Sequence, residues 1–372
     1  MPLLDGLARV AWSELSHAYG AATDVPDLLR ALADEGAASP ALRRSAERSK
    51  KTVRAATMEK LWGNVFHQGT RWQVTSHVVP FLVEILRDGP ADAALRGFLL
   101  TYLHHIAYGY PADLFPLLIA PSRDQSGDVD EKTRYAVDCF NAVESALPAV
   151  APFARDPNDN VALPAIALLG GFVGDVARAA LRDALEVAEP RRRAIGLVAL
   201  AQLDDATREM AMPLLEDADR IVAVHAACAV LLANPQEVPT AAVDVLVHPL
   251  GELVETPSPL TDTLGALVSR CLEMLPVIHR SAAIRALAGA LATSSVTTNL
   301  AMTASLLRIA MPERAPGTAR ELTPDQRVAL DAVAAHGAFK WRFGAFGNYA
   351  SLLRAYQLPT TADELRAWLG VG

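Results

Sequence analysis

The sequence predicts an all-α protein, a right-handed α-solenoid of stacked antiparallel helix pairs. Three observations predict it. Alanine and leucine dominate a chain of 372 residues that is 51% hydrophobic, 20% charged and only 6% aromatic, a balance that favours ordered, buried helix. A helix–turn–helix pattern recurs about every 30 residues, the mark of a repeat array. No run alternates apolar and polar residues as a half-buried strand would.

Each element can be justified in order. "MPLLDGLARVAWSEL" has no basic stretch leading into an apolar one, so no signal peptide is read there. Ser39-Pro40 places a capping hydroxyl before a proline at the first helical position. The basic segment "LRRSAERSKKTVR" (42–54) and the triplet Arg191, Arg192, Arg193 read as solvated helix faces. "LWGNVFHQGTRWQV" (61–74) joins two helix-like segments. In the second of them Val74, Val78, Phe81, Leu82 and Ile85 recur at helical spacing as one apolar stripe. The stretch 108–135 holds a longer polar loop near 121–130, an insertion of the kind that functional sites favour.

The repeats follow. "DPNDNVALPAIALLGG" from 156, "EPRRRAIGLVALAQL" from 189 and "DADRIVAVHAACAVLLA" from 217 each open on a polar or proline-containing turn and run into a small-residue apolar helix. Second helices, "DVARAALRDALEVA" and "DDATREMAMPLLEDA", lie between them, and "TDTLGALVSRCLEML" with "RSAAIRALAGALA" makes a further pair. "GGFVG" (170–174) reads as a helix end, and Asp204-Asp205 and Asp128-Asp130 as helix caps. Thr323 with Gln326 and Thr361 with Glu364 fit the capping box. The expected organisation is a repeat array over 1–310, a linker at 311–322 and a C-terminal helical cap over 323–372.

Composition narrows function. A net charge of -8 argues against a broad phosphate-binding surface, which needs clustered cations. No apolar run reaches the roughly 18 to 20 residues that span a bilayer, so no membrane partner is expected. Cys139, Cys228 and Cys271 lie too far apart for a metal motif or a disulfide framework. They read as small core residues of a protein in a reducing cytoplasm.

Three places carry candidate site residues. In 61–74, Gly63 and Gly69 suit positive backbone angles, and His67, Gln68, Arg71 and Trp72 form either a helix junction or the lip of a pocket. The junction reading accounts for every residue type. His104 and His105 point about 100° apart on a helix. With His77 they would offer a metal site only by chance, so no metal and no cofactor is expected. "HGAFKWRFGAFGNY" (336–349) interleaves cations with aromatics around Trp341. That pattern suits either base stacking or a bulky cap over the last repeat, with the cap favoured. No GxSxG, no Cys beside a plausible His and no strand-borne phosphate loop occurs, so the catalytic residues are unknown.

Residues 156–233 resemble HEAT repeats: a polar turn, an apolar helix, a second helix. "LSHAYGAATDVPDLLRAL" (15–32), "LWGNVFHQGTRWQVTSHVVPFLVEIL" (61–86) and "FGNYASLLRAYQLPTTADELRAWL" (346–369) are similar to a group of bacterial HEAT-repeat proteins. That resemblance implies a scaffold, regulatory or immunity-type protein. It would hold a protein partner on a concave face lined by the second helices. Two alternatives stay open. One is a HEAT-like enzyme on nucleic acid, of the alkylated-base glycosylase type. The other is a small-molecule binder with a pocket near His67, Trp72, His104 and Trp341.

Overall fold

The computed structural model describes residues 3–109, 131–186, 188–204, 206–312, 317–342 and 344–371. The insertion expected at 121–130 and residues 313–316 of the expected linker lie outside them. The chain is all-α, with 73% of it helical. Strand occurs among the described residues as two pairs of two-residue strands and one isolated bridge, Pro257 with Thr263. Helix-on-helix packing therefore builds the cores. The chain divides into two compact units, Met1–Ala188 and Glu189–Gly372.

In the first unit, a hairpin of β1 (Ser16–His17) and β2 (Gly20–Ala21) precedes the helices. They are α1 (Val25–Ala33), α2 (Pro40–Ser49), α3 (Val53–Val65), α4 (Gln73–Asp88), α5 (Ala93–Tyr108), α6 (Glu131–Val150), α7 (Asp159–Gly170) and α8 (Asp175–Glu186). Their starts follow local chemistry. Ser39 Oγ accepts from Leu42 N at 3.3 Å, Thr52 Oγ1 from Ala55 N at 3.1 Å and Asp92 Oδ1 from Leu95 N at 2.9 Å. Each cap satisfies an amide that has no partner within its helix, worth about 1 kcal/mol. The stripe read on α4 is buried throughout, and α4 packs on α5 and α6. Burying each such side chain contributes about 1.5–3 kcal/mol. α5 packs in turn on α6 and α7.

The hairpin is a finding the sequence did not announce. Two-residue strands are too short to show alternation, and side chains hold this one. His17 Nε2 donates to Asp24 Oδ1 at 3.0 Å, while His17 Nδ1 accepts the Tyr19 amide at 3.0 Å. Asp24 Oδ2 accepts from Asn64 Nδ2 at 2.9 Å and lies 3.3 Å from Lys60 Nζ. Both ring nitrogens of His17 are thus committed, which leaves none to act as a base.

The second unit contains α9 (Pro190–Leu200), α10 (Thr207–Ala211), α11 (Arg220–Ala233), α12 (Thr240–Val247), α13 (Leu264–Glu273), α14 (Arg280–Ala290), α15 (Val296–Ala310) and α16 (Pro324–His336). It closes with a hairpin of β3 (Lys340–Trp341) and β4 (Gly344–Ala345), then α17 (Gly347–Ala355) and α18 (Ala362–Leu369). Two ladders run through it. α9 packs on α11, α11 on α13, α13 on α15 and α15 on α17, while α12 packs on α14, α14 on α16 and α16 on α18. The second helix expected over 204–218 is cut short. α10 has five residues and continues as a 3-10 turn, Met212–Glu216, because Pro213 has no amide to donate. The reciprocal capping box at Thr323 and Gln326 is present at 3.0 and 3.3 Å. Thr361 accepts from Glu364 N at 3.3 Å.

Polar groups buried in this unit are mostly satisfied. Asn299, 1% exposed, donates to the carbonyls of Leu291 and His336 and to Ser294 Oγ at 3.0–3.3 Å. Its Oδ1 accepts from Ala338 N at 3.0 Å and from Thr303 Oγ1 at 3.3 Å, and Thr303 in turn meets the Tyr349 hydroxyl at 3.1 Å. The unit also brings together two cysteines that lie far apart in sequence. The Cys228 thiol on α11 is hydrogen-bonded to Cys271 on α13, both fully buried, and burial raises the Cys228 pKa well above its ordinary value. Thiols so placed behave as small apolar residues.

Candidate functional site

The junction 61–74 is built from the end of α3, a 3-10 turn at His67–Gly69 and the start of α4. A helix leaves its last carbonyls without partners, and here three other segments supply them. Tyr102 Oη donates to Leu61 O at 3.1 Å, Ala18 N to Asn64 O at 3.0 Å and Thr75 Oγ1 to Val65 O at 2.6 Å. Thr75 Oγ1 also accepts the Trp72 amide at 2.8 Å, which sets the start of α4. Gly69 has φ 83°, as its type favours, but so does Gln68 at φ 50°. Gly63, expected at a turn, lies inside α3 instead.

Arg71 reaches across to α5. Its Nε and Nη2 donate to Ile106 O and Ala107 O, each at 3.0 Å. The last turn of a helix carries negative partial charge, so a guanidinium suits it. α5 ends at Gly109 with φ 86°, where a Cβ would stand 3.4 Å from the Arg71 guanidinium. Burial lowers the Arg71 pKa. Burial also pushes the Cys139 thiol up to about 12, with Arg71 acting the other way.

The other predicted residues are distributed over different surroundings. His67 is half-buried, its Nδ1 3.3 Å from the hydroxyl of exposed Tyr19, while Gln68 faces solvent. Trp72 is half-buried and its indole N–H has no partner. His104 and His105 face different ways, as their spacing requires. His104 is buried edge-on to Tyr108 at 5.6 Å. Its Nε2 is unpartnered, and burial followed by the neighbouring His105 lowers its pKa to about 3. His105 donates from Nδ1 to Thr101 O at 2.8 Å and lies 4.8 Å from Trp62, which stacks on Tyr102. His77 is exposed on α4. Among the described residues, no three His, Cys, Asp or Glu side chains gather where an ion could sit. Trp341 belongs to the second unit. It is 51% exposed on β3, 5.4 Å from Phe346, while Phe339 turns inward against Tyr349.

A second place presents unused chemistry. Between α13 and α14, a turn at Val277–His279 carries two adjacent apolar residues in solvent, Val277 at 69% and Ile278 at 85% exposure. Beside it lies a groove of about 220 Å³ lined by Leu275, Val277, Ile309, Arg280, Arg308 and Glu273. Arg308 holds Glu273 through Nε at 2.7 Å and Nη2 at 2.8 Å, Arg270 adds a contact at 3.2 Å and Ser305 donates to the same carboxylate. Burial acts to raise the Glu273 pKa, but the hydrogen bonds from Arg308 and Ser305 hold it below its ordinary value. The sequence reading passed over this turn. Its one signal was "PVIH" (276–279), a β-branched pair where an interhelix turn usually places polar residues.

No family model, no curated protein and no solved structure matches the chain. Among the described residues no helix is long and apolar enough to cross a membrane.

Proposed function

We propose that the chain is a HEAT-like α-solenoid that holds a protein partner in a scaffold, regulatory or immunity-type role. The second helices of its pairs would line the concave binding face. The observation that carries this reading is the pair of ladders in the second unit, first helix on first helix and second on second. A chain in which each helix pair meets its neighbours in this way is quasi-one-dimensional, and such arrays present extended faces to macromolecules. The large apolar side chains left in solvent at Val277 and Ile278 add to it, because exposed apolar groups that cluster mark contact surfaces.

One observation favours a second reading, a small-ligand binder. A cleft of about 420 Å³ lies along α14, between Ala282, Ala286 and Gly289 on one side and Val247, Pro249 and Leu250 on the other, with Arg285 at its wall. That volume is within the range of ligand sites.

Native mass spectrometry of the tagged chain, purified gently from its host, separates the two. A retained mass the size of a whole protein is expected. A retained mass the size of a metabolite would replace the scaffold reading with the ligand-binding one.

A further inference from the structure

We infer that the α13–α14 turn and the groove beside it dock an acidic, amphipathic segment of a protein partner. The proposal deepens the scaffold reading and rests on it. The apolar half of the match is the ridge of Val277 and Ile278 with Leu275 and Ile309 at its foot. A partner's leucine or phenylalanine seated there would remove from water two side chains that the fold itself leaves exposed.

The charged half is the arginines. The chain carries 42 acidic and 34 basic side chains, yet at this groove three guanidinium groups, Arg270, Arg280 and Arg308, meet one carboxylate, Glu273. That carboxylate is already engaged by Arg308, Arg270 and Ser305. The local excess is therefore positive within an acidic protein, and an incoming carboxylate meets attraction here and repulsion over much of the remaining surface. Arginine also presents a planar fork suited to carboxylates. A nucleic acid would share the charge match but not the apolar one, since Val277 and Ile278 offer no ring for a base to stack on.

The test uses the full-length chain and a displayed library of random 16-residue peptides, read afterwards with fluorescent copies of the selected sequences. The expected selection is enriched in Asp or Glu spaced around Leu, Ile or Phe. Its dissociation constant is expected to rise at least tenfold on Ile278→Asp and on Arg280→Glu. A Lys-for-Glu version of the peptide should regain binding to Arg280→Glu. Thermal melts of both variants confirm that they fold. Peptides that bind both variants as tightly as the parent chain would overturn the docking site and leave the scaffold reading standing. A library that yields nothing on the parent chain would overturn both. Displacement of the peptide by a random-sequence oligonucleotide, with equal oligonucleotide affinity across the library of sequences, would assign the groove to phosphate recognition instead.

Discussion

The junction at 61–74 and the turn at 274–280 both connect two helices, and they use their side chains in opposite ways. In the junction, Arg71, Thr75 and Asn64 all bond inward, to helix-end carbonyls or to Asp24. In the turn, two β-branched side chains face water and the neighbouring guanidinium groups outnumber their carboxylate partner. The junction is much the richer in tryptophan, histidine and glutamine. Decorated composition is thus a poor guide to a contact surface. What distinguishes one is chemistry that the fold itself has left unused.

The largest effect tests the junction. Trp72→Ala is expected to lower stability by about 3 kcal/mol, because removing a large ring leaves a cavity beside the α3–α4 connection. Denaturant titration measures it, and an unchanged midpoint accompanied by lost partner binding would reverse the comparison.

Acid gives an intermediate effect that draws on one histidine in each unit. Burial lowers His104 to about 3 and His225 to about 4, against an unfolded value of about 6.5. The folded state requires the neutral rings, whereas the unfolded chain takes up protons below about pH 6.5. Stability is therefore complete above that pH and falls as the solution is acidified towards the folded values. The slope is about 1.4 kcal/mol per pH unit for each histidine. Urea midpoints at a series of pH values should show the decline, and His104→Phe should remove about half of it.

The smallest effect belongs to the turn. Ile278→Asp should change stability by no more than about 0.5 kcal/mol, as exposed substitutions do. A drop of several kcal/mol in the same titration would mean that the ridge is held by the fold and is not free to dock anything.

Much of the helical content was legible because its signals are local. The stripe from Val74 to Ile85, the caps at Ser39 and Thr323 and the small-residue helices after 156, 189 and 217 are each set by neighbours within about one turn. What went unread depends on distant pairs. Nothing near Cys228 indicates Cys271, and nothing near Arg71 indicates the carbonyls of Ile106 and Ala107. The two hairpins fix two residues per strand and leave no period to detect. Within the candidate residues, the divergence of His104 from His105 followed from helical geometry. The inward use of Arg71 did not, because it takes the end of another helix to define it.

Asn299 has a consequence for the alignment of the helices around it. Its neighbours are chiefly alanine, leucine and threonine, and faces so alike can slide past one another to positions of nearly equal apolar burial. A carboxamide with five fixed partners removes that freedom. Shifted by one turn, its donors and acceptor would face hydrocarbon, at about 1–3 kcal/mol for each orphaned group. The residue acts as a key cut for one position: it adds less to how strongly α15 is held than to which of several similar placements it takes.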